Sequence, residues 1–157
     1  MNASRSARGS GVWRRAQRCV LPASGFYEWH LSESGARQPF YIHLADQEVF
    51  GFAGLWDRSI GPDGSIESCT LITMPANALL SQIHNVERRM PAILKPADHE
   101  TWLKGDADQA RAVLTEYPAG TMVAWPVSTR VNSPRNEGAI LIEPLVLPSV
   151  PEQSSLL

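Results

Sequence analysis

Arg18-Cys19-Val20-Leu21-Pro22-Ala23-Ser24-Gly25-Phe26-Tyr27-Glu28-Trp29 is the stretch on which the reading of this chain turns. An apolar strand is expected over residues 19–21, turn residues follow at 22–25, and extended structure resumes over 26–30. One carboxylate, Glu28, stands between two aromatic residues in that second strand. Such a glutamate either alternates outward to water on a half-exposed strand or is held in a pocket. In a pocket, desolvation disfavours its charged form and raises its pKa, which makes a carboxyl group useful as an acid or base near neutral pH.

Working outward, the chain continues as short strands with turn signals between them. Residues 32–38 are polar and read as a hairpin connection. Strands are expected over 39–44 and 49–55 around a turn at Asp46-Gln47, with Trp56 closing the second. Gly61-Pro62-Asp63-Gly64 marks a turn, followed by a strand over 66–74. Pro75 suits the first turn of a helix, where its missing N–H costs nothing. Residues 76–83 have helical spacing, with Leu79, Leu80 and Ile83 on one face and His84 at the end. A short strand is expected over 90–94. A second helix starts at Pro96-Ala97-Asp98 and runs through Leu103 to a stop at Gly105, and a third covers 106–114. Strands over 122–126 and 140–142 complete the pattern, with a strand remnant around Val12-Trp13. Many short strands with a few helices predict a single mixed α+β domain built around a strongly curved, mainly antiparallel sheet. Its expected bounds are 18–147, between an irregular basic N-terminal segment (1–17) and a flexible Pro/Ser-rich tail (148–157).

Composition narrows the class. The chain has 157 residues, 43% hydrophobic and 19% charged, with a net charge of −2, which fits one compact domain with a real core. No apolar run approaches the roughly 18 residues that span a bilayer, and no secretory signal is visible. Cys19 and Cys69 are expected to be reduced and buried. Arg5, Arg8, Arg14, Arg15 and Arg18 all precede the first acidic residue, a basic beginning that could follow a phosphate backbone or simply be a solvated arm. His30, His43, His84 and His99 are scattered, and no Cys or His spacing suits a metal. A Cys/His hydrolase, with Cys19 or Cys69 as nucleophile and His84 as base, is the generic enzymatic alternative. Neither cysteine lies at a helix N-terminus or in an electropositive pocket that would activate it. Trp13, Trp56, Trp102 and Trp125 are expected in the core, and Trp29 either packs there or stacks on a ligand.

Three further blocks join the first. They are Thr73-Met74-Pro75-Ala76-Asn77, then Ile83-His84-Asn85 with Arg88-Arg89-Met90-Pro91-Ala92-Ile93-Leu94, then 125–136 from Trp125 to Asn136. Together with the Glu28 block, in this order, they resemble the SRAP family (SOS response-associated peptidase), the abasic-site processing proteins. The resemblance runs from Arg18 to Pro144. It implies binding of single-stranded DNA bearing abasic sites with no cofactor, while the composition and spacing above point to a cytoplasmic, nucleoid-associated protein with no metal and no membrane. It implies catalytic roles for Glu28 and His84, and for Asn2 if Asn2-Ala3 is the remnant of an Asn-Ala-Arg motif, with Ser4 standing where the family has Arg. It implies DNA contacts from Trp29 by stacking, Thr73 by its hydroxyl and Arg89 to phosphate.

The family's chemistry rests on a cysteine exposed once the initiator Met is removed. Its amine and thiol react with the aldehyde of an abasic deoxyribose to give a thiazolidine, and the same site supports peptidase activity. This sequence opens Met1-Asn2 instead. The expectation is therefore a domain that is N-terminally shortened relative to the family. It would keep the Glu and His half of the centre, or serve as a non-catalytic single-stranded DNA-binding or interaction module on the same fold. Missing strands would also leave a core face exposed and favour self-association.

Overall fold

In the computed structural model, the residues described are 17–62 and 64–145. Asn2, the arginines at 5, 8, 14 and 15, the strand remnant at Val12-Trp13 and the tail 148–157 lie outside them, as does Asp63.

Among the described residues, nine strands and three short helices form the expected α+β domain, and every strand pairing is antiparallel. The strands are divided among three small sheets. In the first, β1 (Arg18–Ala23), β4 (Phe50–Gly61) and β5 (Gly64–Leu71) lie side by side, and β8 (Ile93–Leu94) also pairs with β4. In the second, β3 (Arg37–Leu44) is flanked by β2 (Phe26–Leu31) and β9 (Met122–Pro126). In the third, β6 (Thr73–Pro75) pairs with β7 (Arg89–Pro91). No helix among the described residues is long and apolar enough to cross a membrane.

Two of the expected strands are each broken in two by the change of sheet. The run 66–74 splits at Ile72 and the run 90–94 splits at Ala92. At these two positions and at Ala53 the backbones interlock: Ala53 N–H donates to Ala92 O, Ala92 N–H to Ile72 O and Ile72 N–H to Ala53 O. This ring of three bonds satisfies the groups that each strand loses as it leaves its ladder.

The helix after β6 also begins later than expected. Pro75 ends a strand, paired with Arg89, instead of opening the helix. Helix α1 runs over Ala78–Ile83, because Asn77 takes the N-cap and accepts the N–H of Leu80 at 3.0 Å. The cap wins because it satisfies an orphan helix donor, while proline at a ribbon end forfeits nothing. Asn77 is 1% exposed, and its amide also donates to Tyr117 O at 2.8 Å.

Farther along, Pro96–Asp98 forms a 3-10 turn ahead of α2 (His99–Lys104), and α3 (Ala107–Ala112) starts at an Asp106/Gln109 capping box. The expected strand over 140–142 is a 3-10 turn, Ala139–Leu141. It follows Gly138 at φ 98, and Ile140 and Ile142 are exposed, so that apolar triplet has no ladder to join.

Two apolar clusters make the core. Ile42, Leu44, Phe50, Phe52, Leu80, Ile83 and Met90 belong to the larger, beneath α1. Ala53, Ala92, Leu94, Trp102 and Ala110 form the smaller, beneath α2 and α3. Of the tryptophans expected there, Trp102 is fully buried, Trp125 is half-buried and Trp56 is exposed on β4. The cysteines also depart from expectation: both are free, but Cys19 is only half-buried and Cys69 is exposed on β5, an edge strand exposed along its length.

Candidate functional site

Glu28 faces the core side of β2. It lies opposite Phe40 of β3 in the same register that pairs Phe26 with Ile42. Phe26, Phe40 and Ile42 belong to the larger apolar cluster, so alternation brings the carboxylate to the rim of that cluster. Its side chain keeps 18% exposure. Burial pushes the Glu28 pKa up, and the carboxylate of Glu87 adds to this. His84, Arg89 and the backbone N–H of Trp29 pull the other way without cancelling the desolvation.

His84 caps the end of α1 and meets that carboxylate. Its Nδ1 lies 3.6 Å from Oε2 of Glu28 and 2.9 Å from the carbonyl oxygen of Arg89. A carbonyl only accepts, so Nδ1 carries the proton in that bond. In the neutral ring this leaves Nε2 as a free base, and it has no partner among the described residues. The return loop supplies the carbonyl. Arg88 adopts φ 49, a left-handed conformation rare for a residue with a Cβ. Its N–H donates to His84 O and its carbonyl accepts from Ala76 N–H, which brings Arg89 back under the imidazole.

Three side-chain bonds dock α1 on the outer edge of β2. His30 Nδ1 donates to Gln82 O at 2.9 Å. Asn85 accepts the N–H of Leu31 at 3.0 Å and donates to its carbonyl at 2.8 Å. Asn85 and Asn77 are not among the residues that the sequence predicts for the site. An asparagine just ahead of the apolar run Leu79-Leu80-Ile83 is a cap signal that could have located Asn77. Nothing local announces Asn85, whose partner is 54 residues away.

The remaining predicted residues are placed as follows. Arg89 stands on β7 beside the pair and forms an exposed ion pair with Glu87. Thr73 and Arg89 lie on the same outward face of the β6–β7 ribbon, with Met74 and Met90 facing inward. Trp29 follows Glu28 in the strand, and alternation sends it to the opposite face, where Nε1 donates to Oδ1 of Asn132 at 2.8 Å. That asparagine ends the 3-10 turn Thr129–Asn132. The structure thus brings Glu28, His84 and Arg89 together, with Thr73 along the same ribbon, and holds Trp29 on the other side of the strand. Asn2 lies outside the described residues.

Arg18, counted in the basic beginning, does not face a ligand. It is 7% exposed and donates to the carbonyls of Trp102 and Gly105. Burial, and then the nearby Cys69 thiol, push the Cys19 thiol up, which argues against Cys19 as a thiolate nucleophile. Among the described residues no three His, Cys, Asp or Glu side chains are grouped to hold a metal ion.

A family model described as SOS response associated peptidase (SRAP) matches residues 5–134. The abasic site processing protein YoqW of Bacillus subtilis (strain 168) is 38% identical over 132 residues, covering 82% of this chain and 58% of its own length. The abasic site processing protein HMCES of Gallus gallus is 33% identical, covering 91% of this chain and 48% of its own. A crystal structure of a protein from Bacteroides thetaiotaomicron superposes with a TM-score of 0.78 at 27% identity, over 85% of this chain and 59% of that one. The chain spans about half the length of the curated relatives it matches.

Proposed function

Because the chain belongs to the SOS response associated peptidase (SRAP) family, we propose that it binds single-stranded DNA at abasic sites and supplies the acid–base half of their covalent processing. The observation that carries this reading is the approach of His84 to a half-buried Glu28 at 3.6 Å. Relatives named for abasic-site processing support the substrate class.

The two groups divide the work of imine formation. A primary amine adds to C1′ of the ring-opened sugar, and a proton must then leave nitrogen. Nε2 of His84 is the base for it, with Nδ1–H held on the Arg89 carbonyl. The carbinol hydroxyl departs as water when Glu28, an acid whose pKa burial raises, gives it a proton. Arg89 and Thr73, on one ribbon face, hold the adjoining phosphate. Trp29, with its ring tied to Asn132, offers a stacking surface to a flanking base across the strand.

In the family reaction a thiazolidine then forms on an N-terminal cysteine. It needs an amine and a thiol on adjacent carbons of one residue, and Cys19 and Cys69 are internal. A polypeptide of these 157 residues is therefore limited to an imine through an amine, reversible unless reduced. The second reading, for that polypeptide, is a DNA-binding module without a stable crosslink.

The test mixes the 157-residue chain with single-stranded or duplex DNA carrying one abasic site. Single strands are expected to bind more tightly, with affinity falling as salt rises. Denaturing gels are expected to show a protein–DNA band only when borohydride is present. Equal affinity for duplex, or no binding at low salt, overturns the nucleic-acid role. A heat-stable band without reductant overturns the assignment of the nucleophile. If a stable band appears when a Cys is supplied after the initiator Met of an N-terminally extended polypeptide, the catalytic reading gains over the module.

A further inference from the structure

We propose that Asn85 is a positioning residue for the Glu28–His84 pair: its carboxamide pins the end of α1 to the free edge of β2 and so sets where the imidazole meets the carboxylate. This rests on the reading of Glu28 and His84 as the reacting pair.

Among the described residues, strand β2 lies at the edge of its sheet, with β3 on one side only. The N–H and C=O of Leu31 point away from β3, and on an open edge they would be left to water. Asn85 meets both, accepting at 3.0 Å and donating at 2.8 Å. A primary carboxamide carries a donor and an acceptor at nearly the separation of a peptide group, so it replaces one residue of a neighbouring strand. The two bonds fix the orientation of the amide, and that fixes the backbone of residue 85 against the strand.

The consequence reaches the next residue back. His84 lies between Asn85 and Gln82, and Gln82 is tied to the same strand by His30. Glu28 is three residues from Leu31 along β2. Helix α1 is only six residues long, too short to hold its last turn by its own hydrogen bonds. With the amide tie removed, His30 supplies the one side-chain hydrogen bond left between α1 and β2 among the described residues, and the imidazole is freer to swing away from both Glu28 and the Arg89 carbonyl. No other residue type offers the same match. Ala has neither group, Asp accepts from Leu31 N–H but cannot donate, and Gln places its amide one carbon too far.

The readout is the tautomer of His84, measured by NMR on the 157-residue chain labelled with ¹⁵N-histidine. In the parent, neutral His84 is expected as the Nδ1–H form, held by Arg89 O. Asn85→Ala is expected to shift it toward the Nε2–H form and to slow borohydride-trapped capture of abasic single-stranded DNA about 10- to 100-fold, the scale of a misplacement near 1 Å. Asn85→Asp is expected to fall between. Ser81→Ala is the control for helix stability. Its hydroxyl bonds the carbonyls of Ala76 and Asn77 at the other end of α1, so His84 is expected to keep its tautomer there.

An unchanged His84 signal in Asn85→Ala overturns the proposal, and so does an equal shift in Ser81→Ala. If Asn85→Ala does not fold, Asn85→Asp against the parent decides in the same terms. Should the parent capture no DNA while its tautomer still answers to Asn85, the positioning role stands and the proposed function falls.

Discussion

Arg18 and Glu28 enter the structure from the same dozen residues, each a charged group in an apolar stretch, and they end in opposite conditions. Arg18 opens β1 and lies against α2, with its guanidinium 5.7 Å from the Trp102 ring centroid. It donates to the carbonyls of Trp102 and Gly105, at the C-terminal end of α2 where the intrahelical ladder stops. The cation also sits at the negative end of the helix dipole. Trp102 completes the arrangement by donating its indole N–H to Cys19 O. Glu28 has no such enclosure. Desolvation outweighs its attractive neighbours, and the histidine facing it uses Nδ1 on the Arg89 carbonyl, with Nε2 unpartnered among the described residues. A buried charge whose hydrogen bonds are met by backbone stabilises a junction. A half-buried acid whose partners fall short of its needs stores reactivity.

The largest expected effect tests the second half of that contrast. Glu28→Gln keeps shape and removes the proton donor. Capture of abasic single-stranded DNA under borohydride is expected to slow by about 10²- to 10⁴-fold, the usual worth of one acid–base group. Stability is expected to move the other way at neutral pH. Because burial raises the Glu28 pKa in the folded chain, the native state binds more protons than the unfolded state between the ordinary glutamate value and the raised one. Stability therefore falls as pH rises through that window, and the ionised acid carries the full cost above it. The neutral amide of the Glu28→Gln variant avoids that cost, so its melting temperature is expected to exceed the parent's at about pH 7. The gain is expected to vanish once the pH drops below the ordinary glutamate range. A variant less stable than the parent at neutral pH would mean that Glu28 is as well satisfied as Arg18, and the contrast would collapse.

Next in size is Arg18→Met, which keeps much of the stem and removes both bonds to carbonyls. Hydrogen bonds from a charged donor are worth about 1.5–3 kcal/mol each, and two acceptors lose a partner, so a loss of roughly 3 kcal/mol is expected. For a chain of this size that lowers Tm by roughly 10 °C. Thermal unfolding followed by circular dichroism checks this. Single-stranded DNA affinity, measured below the transition, is expected to be unchanged; a weakened affinity would return Arg18 to the phosphate-binding role that its place in the basic beginning suggested. Asn77→Ala is a smaller version of the same test. The lost N-cap and the unpartnered Tyr117 carbonyl together cost about 2 kcal/mol, read in the same melt.

These two regions also explain what could be read from sequence. The strands around Glu28 and the order of elements were legible because turn residues punctuate them and aromatic and β-branched residues fill them. Glu28 and His84 could be singled out as residues, through the family resemblance and the apolar setting of Glu28. The fate of Arg18 could not be, because its acceptors lie 84 and 87 residues away and are backbone atoms of a helix. The sheet changes at Ile72 and Ala92 were invisible for a related reason. Neither position carries a turn residue, and only the three-way backbone junction with Ala53 decides where each strand leaves its ladder. Pro75 and the 140–142 triplet misled locally: a proline that could open a helix ended a strand, and an apolar triplet found no edge to pair with.

The smallest expected effect sets two surface carboxylates side by side, one from each region. Glu100 pairs with Lys104 on α2, and Glu87 pairs with Arg89 beside the site; all four side chains are more than half exposed. Exposed pairs of this kind are worth about 0–1 kcal/mol, so neither Glu100→Gln nor Glu87→Gln is expected to move Tm by more than a few degrees. Their effects on DNA should differ. Glu87 occupies the guanidinium that the proposed function gives to phosphate, so an incoming phosphate must displace it. Glu87→Gln is expected to tighten binding to single-stranded DNA severalfold at low salt. It should also steepen the salt dependence by about 0.7 in the slope of log K against log salt, the signature of one additional phosphate contact. Removing Glu87 also takes away a charge that raises the Glu28 pKa, so the upper limb of the pH profile for DNA capture is expected to move down. Glu100→Gln removes the same charge from the chain and should leave both the slope and the pH profile where they were. If the two variants tighten binding equally, only net charge matters, and Arg89 loses its place as a phosphate contact.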